Sequence, residues 1–490
     1  MVQAHPLLEA YRPSAADPFD SMKAAHLLNR AGFGGTPEEI AKVVKLGPQD
    51  AVDWLMDFPE APAEEQSPSD VPDLSAIDGF PRSFRDVQRM AVGKSEEERR
   101  QFQQRFMAAN REALGEAAGW WLKRMAYGRH PLQEKLTLFW HGHFTTSARD
   151  ERWALLMWKQ NELLRRQGAG NFREFVRQIS RDPAMLDYLN NQQNRKQHPN
   201  ENYARELMEL FTLGIGHYTE DDVKNAARAF TGWGHDGDEF VYRRPEHDYG
   251  EKVFFGKRGN FDGDDVIDII LSHPHCAKYI GGKLYAFFVE EAPEEALVES
   301  LGDLLRGGKY ELRPLIRTIL TSKAFYRQEV IGGQIKSPVQ LVVGTARLLG
   351  TQLPPTRFLM GLLEQMGQRP MDPPNVKGWA GGRSWINTST LFVRYNAAVM
   401  LAGGNLAMGT GAGRFMDAAV AVRGREGFSP KVEERTGEDI VERWVGRLIQ
   451  RPIDAEKKRL LIDAAAGQVN REAVKRVVQL IVSMPEYQLC

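Results

Sequence analysis

Two imidazoles two residues apart, in Trp140-His141-Gly142-His143-Phe144, are the side chains of this sequence best suited to chemistry. Histidine binds metals as the neutral ring and exchanges protons near neutral pH. The pair falls at the expected end of an apolar helix on which Leu132, Leu136 and Phe139 share one side. If that helix continued through both histidines they would point apart, whereas a chain leaving the helix at Gly142 would let them converge. A solitary buried histidine is ordinarily a hydrogen-bonded core residue, and a bare His-x-His pattern says little about which metal it would take.

The second group lies in Asn200 to Gly214. Tyr203, Leu207, Leu210 and Phe211 form an apolar helix face, with Gly214 as a left-handed cap. Asn202, Glu206 and Glu209, spaced four and three apart, form a polar ridge beside it. Glu206 sits at the border of the two faces, where a partly desolvated carboxyl gains basicity or pairs with Arg205 or a metal. A third group, Arg243 to Lys252, offers His247-Asp248 as metal ligands or as an orienting pair, with Lys252 for an anion. Trp233, Trp379 and Trp385 are candidates for a stacking surface, beside Lys377 and Arg383. Solvated faces, hairpin tips and core packing are the ordinary uses of the same residue types.

The leading expectation is a metal-dependent enzyme, hydrolytic, in which His141, His143, His247 and Asp248 hold a divalent ion of unspecified identity. Glu206, with Glu209 beside it, serves as base on a bound water, and Lys252 steadies an anionic group. Asn202, Arg205, Trp233, Lys377, Trp379 and Trp385 then contact the substrate, an unidentified small molecule or glycan. Two alternatives stand beside it. One is a metal-free glycan-active enzyme using Glu206 with Asp248 or Glu209. The other is a noncatalytic binding or scaffold protein whose polar motifs form a buried network. There is no Gly-x-Ser-x-Gly elbow and no Gly-x-Gly-x-x-Gly turn, so serine-hydrolase and dinucleotide-binding readings rank low.

The elements that must position these residues read as mainly α: a multi-helical core with a small β-hairpin excursion and a C-terminal helical extension. Residues 1–115 form an N-terminal helical region with a polar loop at 59–76, and Thr36-Pro37 marks a helix start. A long charged helix is expected from Glu96 to Leu114. Residues 116–402 form the helical core, with a hairpin across 239–256. Residues 403–438 read as a linker or mobile loop, and 439–490 return to helical periodicity. His273-Pro274-His275 reads as a connection between helices rather than a metal site.

With 490 residues, 42% hydrophobic and 26% charged, and a net charge of -1, the chain has the composition of a globular protein with an ample core. That balance supplies no electrostatic argument for nucleic acid or an acidic membrane. Cys276 and Cys490 are the only cysteines, which excludes a disulfide framework and a Cys-rich metal site. No segment approaches the roughly 20 apolar residues of a membrane span, and the first residues lack the pattern of a secretory signal. A cytoplasmic location is the default expectation.

Six segments together resemble a large bacterial family known as domain of unknown function 1800: Ala25–Gly34, Phe139–Phe144, Asn200–Leu210, Ala229–Trp233, His247–Lys252 and Pro373–Trp379. They occur in the expected order across about residues 20 to 400. The resemblance implies a predominantly helical protein and carries no reaction with it.

Overall fold

The computed structural model describes residues 5–59, 71–80, 84–151, 153–403, 434–449 and 451–490. The chain is mainly α, as expected, with two small antiparallel hairpins. Helix starts follow local chemistry. Asp20 caps Ser21–Arg30 by accepting from the Met22 and Lys23 N–H groups. Thr36 and Glu39 form a reciprocal capping box at the head of Pro37–Met56, with Pro37 at the first turn. That helix bends at Gly47, whose φ of 78° breaks the helical path just before Pro48.

The charged helix does not stop at Leu114. It runs unbroken from Glu96 to Tyr127, solvated in its first half and with one face buried from Asn110 onward. A single internal glycine, Gly115, costs about 1 kcal/mol, too little to end a helix whose second half packs Trp121, Leu122 and Met125 into the core.

The Pro131–His143 helix is the centre of the molecule, buried along almost its whole length. Leu132, Leu136 and Trp140 face one apolar cluster, built from the N-terminal helices and residues up to Val330. Leu138 faces a second cluster, made by the second half of Glu96–Tyr127, the helices from Pro338 to Leu401, and the C-terminal helices Gly437–Leu448, Ala455–Ala464 and Arg471–Val482. Ala154–Gln167 likewise serves both, with Leu164 in the first and Leu156 and Met157 in the second. The two clusters meet along these shared helices.

The expected single hairpin across 239–256 is instead parts of two. Strands β1 (Trp233–Asp236) and β2 (Glu239–Tyr242) pair across a turn at Gly237, and β3 (Lys252–Phe254) and β4 (Lys257–Gly259) across Phe255-Gly256. Gly237 has a positive φ of 68°, and Phe255 and Gly256 have 46° and 74°, so each turn takes the left-handed backbone that tight hairpins need. Pro245, in a short 3-10 turn, separates the two.

Of the expected linker, residues 404–433 lie outside the described residues, as do 60–70 of the polar loop. Gly437–Leu448 begins with a Thr436–Asp439 capping box, just inside the boundary expected for the linker. His273 caps Pro274–Phe288, so His273-Pro274-His275 is the helix connection anticipated. Among the described residues no helix is long and apolar enough to cross a membrane.

Candidate functional site

The central helix continues through His141 and His143, so the two imidazoles diverge. His141 is fully buried, edge-on to Trp121 at 5.4 Å and tilted against Trp379 at 5.6 Å between ring centroids. Neither of its nitrogens has a hydrogen-bond partner among the described residues. Burial lowers its pKa to about 4, with Asp372 acting weakly the other way. His143 instead places Nε2 3.0 Å from the Phe211 carbonyl oxygen. A carbonyl only accepts, so Nε2 carries the proton and the unpartnered Nδ1 keeps the lone pair. Burial, and then the Lys283 ammonium, hold the His143 pKa well below the usual histidine value.

His141 therefore ties stability to pH. Its folded pKa lies below that of the unfolded chain, so as pH falls from 6.5 toward 4 the unfolded state takes the proton first, costing up to roughly 3 kcal/mol. His141→Phe removes that term along with two unsatisfied polar atoms. Melting temperature should rise by a few degrees at pH 7 and by more at pH 5. Acid sensitivity equal to that of the parent would refute the assignment.

The Asn200 to Gly214 segment is not one α-helix. Asn202–Glu206 is α-helical, Leu207–Thr212 is a π-helix, and Gly214, with φ of 82°, supplies the left-handed end expected of it. The wider turn leaves carbonyls over. The Leu210 carbonyl accepts from the Tyr279 hydroxyl at 2.9 Å, and that of Phe211 from His143. Arg205 turns outward to Glu201 and Glu220, and the Asn202 side chain is exposed. Glu209 accepts from the Tyr218 hydroxyl at 2.8 Å. Glu206 is half-buried. Burial, and then the Glu209 carboxylate, raise its pKa against the pull of Lys377 and Arg205.

The His247-Asp248 cluster lies apart as a closed network. His247 Nδ1 donates to the Thr231 carbonyl at 2.9 Å, and Asp248 pairs with Arg228 at 2.7 Å. The Lys252 ammonium donates to the Asp248 and Gly250 carbonyls. Trp233 is packed between Phe230 and Phe240 beneath the Arg181 guanidinium, so it offers no stacking face to a ligand. Among the described residues no group of three or more His, Cys, Asp or Glu side chains is disposed to hold a metal ion. The expected three-walled metal site does not assemble: the two histidines leave the central helix in different directions, and the hairpin pair is satisfied by its own neighbours.

What does assemble is a cavity of about 420 Å³ where the two apolar clusters meet. Its walls include His143, Lys377, Trp379 and Trp385 from the sequence-derived candidates. Lys135, Lys283, Phe139, Phe287, Gln334, Gln340, Gln368 and Glu291 join them. Lys135 donates to Gln340 Oε1 at 2.8 Å, and burial lowers its pKa to about 8. Burial alone lowers Lys283 to about 8. Glu206 does not line the cavity but lies within electrostatic reach of Lys377 at its edge. The missed lysines had a signal: Lys135 stands four residues before Phe139 and eight before His143, a charge on the apolar side of the central helix. Lys283 follows Gly281-Gly282 inside another apolar helix.

The sequence pattern of the family described as "Protein of unknown function (DUF1800)" matches residues 26–489. The chain belongs to DUF1800. No curated protein and no solved structure matches it. Two of the DUF1800-like segments line the cavity and two more brace it. Phe139–Phe144 supplies His143, and Pro373–Trp379 supplies Lys377 and Trp379. Asn200–Leu210 leads into the turn that holds His143. From Ala25–Gly34, Arg30 donates to Gln334 Oε1 at 2.6 Å and braces the wall from behind.

Proposed function

We propose that this DUF1800 chain is an enzyme whose cavity takes a small organic anion with a flat apolar body, using its own side chains as acid and base. The observation that carries this reading is the composition of the wall: Lys135, Lys283 and Lys377 against the single carboxylate of Glu291, between Phe139, Phe287, Trp379 and Trp385. Ammonium groups repel a metal cation and attract a carboxylate or phosphate, and indole faces suit a planar body. This donor set does not suit the divalent ion first expected, and no step is routed through one. Acid–base capacity is supported by two groups. The Nδ1 of His143 has no hydrogen-bond partner among the described residues, and burial and the Glu209 carboxylate raise the pKa of Glu206 within electrostatic reach of Lys377.

Benzoate and the neutral, isosteric benzamide test the reading by calorimetry or tryptophan fluorescence. Benzoate should bind at least tenfold more tightly. Lys377→Ala should weaken benzoate about 5- to 30-fold, corresponding to roughly 1–2 kcal/mol for one charge-assisted contact, and leave benzamide unchanged. Equal binding of the two ligands would overturn the reading.

A further inference from the structure

Of the three ammonium groups on the cavity wall, two have polar company. Lys135 donates to Gln340, and Lys377 lies within electrostatic reach of Glu206. Lys283 makes no hydrogen bond or ion pair among the described residues; its nearest recorded contact is the Tyr279 ring, 5.3 Å from Nζ to centroid. It lies in the Pro274–Phe288 helix, half-buried, facing the same cavity as His143 and Phe287. A half-buried lysine on a ligand-sized cavity with no hydrogen-bond or ion-pair partner of its own is well placed to serve as an amine.

We propose that Lys283 is the nucleophile of this cavity, and that the organic anion taken there carries a ketone or aldehyde with which Lys283 condenses to an imine. The proposal rests on the anion reading above and names its substrate class, a 2-oxo acid or a comparable carbonyl-bearing anion. In the step, the Nζ lone pair attacks the carbonyl carbon and the carbonyl π pair moves to oxygen. One proton passes from nitrogen to that oxygen, giving a carbinolamine. The nitrogen lone pair then forms the C=N bond and expels the hydroxyl, which leaves as water with the second proton of the nitrogen, so no oxidant or further reactant is needed. Lys135 and Lys377 supply positive charge for the substrate's acid group, and His143 lines the same wall. Burial supports the role: it lowers Lys283 to about 8, so about half of the side chain is free amine at that pH.

Phenylglyoxylate is the probe, since it joins a flat ring, a ketone and a carboxylate and cannot enolise. The full chain is incubated with it, reduced with borohydride and mapped by peptide mass. The expected result is one secondary-amine adduct, on Lys283, suppressed by excess benzoate and forming with a pH midpoint near 8 rather than in the range of surface lysines. Lys283→Arg, which keeps the charge and loses the nucleophile, should abolish it, and Lys257→Arg, on exposed β4, should not. The map of the parent protein decides the matter even if Lys283→Arg fails to fold. Benzoate binding with no Lys283 adduct, or with adducts spread over surface lysines, overturns the imine proposal and leaves the anion reading standing. Failure of benzoate to bind overturns both.

Discussion

Arg165→Met is expected to destabilise the chain by roughly 3–5 kcal/mol, the usual consequence of stranding a buried charge. Glu134, on the central helix, and Arg165, on the neighbouring Ala154–Gln167 helix, have side chains only 2% and 3% exposed. Glu134 Oε1 accepts from Arg165 Nε at 2.9 Å and Arg124 Nε at 2.6 Å, while Oε2 accepts from Arg165 Nη2 at 3.0 Å and Trp121 Nε1 at 2.9 Å. Arg165 also reaches Glu162 and Asn161. The network pins three helices where the two apolar clusters join. Burial alone would raise the Glu134 pKa, but Arg165 and Arg124 more than offset it and hold the carboxyl below its ordinary value. Its contribution is therefore complete above the pKa of an unfolded glutamate, about 4.3, and lost as pH falls below that. Urea titration at pH 7 checks the main effect. Adding Glu134→Gln to Arg165→Met should recover a substantial part of the loss by removing the orphaned charge. A cost under 1 kcal/mol for Arg165→Met would show that the pair contributes little.

Gly378→Ala should weaken benzoate binding tenfold or more while leaving most of the fold intact. Gly378 has a φ of 77°, and a methyl group there would run into the Gly142 carbonyl oxygen on the central helix and come within 3.2 Å of Thr145 Oγ1. Both obstacles are firm, because one is backbone and Thr145 Oγ1 itself donates to the Gly142 carbonyl at 3.1 Å. The residue must retreat, and Lys377 and Trp379 on either side retreat with it from the cavity edge. Gly381 is the control. Its φ is 76°, but a methyl group there meets nothing within 4 Å, so Gly381→Ala should carry only the backbone cost of about 1–2 kcal/mol with much smaller change in affinity. Paired benzoate titrations and thermal melts distinguish them. Equal losses in the two variants would mean that close packing on Gly142 is not what positions the loop.

Helix starts were legible because their causes are local. The start read at Thr36-Pro37 forms, and Thr36 and Glu39 close a capping box there within four consecutive residues. The π-helix was not legible, since Tyr203, Leu207, Leu210 and Phe211 recur at spacings that suit an α-turn equally well. The partners of its last turn, His143 on the Phe211 carbonyl and Tyr279 on the Leu210 carbonyl, come from helices remote in sequence. The hairpin region was legible as strand but was split wrongly, because two turns with left-handed residues were read as one excursion. The cavity was half legible. His143, Lys377, Trp379 and Trp385 stood out by residue type, but Lys135 and Lys283 matter only because the two clusters close around them. His247, Asp248 and Lys252 have the residue types of a site, yet their own turn satisfies them.

The bond from His143 Nε2 to the Phe211 carbonyl makes the register of one helix and the tautomer of one imidazole a single variable. A change of pitch that carried the Phe211 carbonyl away from the ring would leave Nε2–H without its acceptor. Conversely, the ring cannot move its proton to Nδ1 without stranding the Phe211 oxygen in the core. A wall residue of the cavity is thereby held in place by a helix that contributes no side chain to that wall.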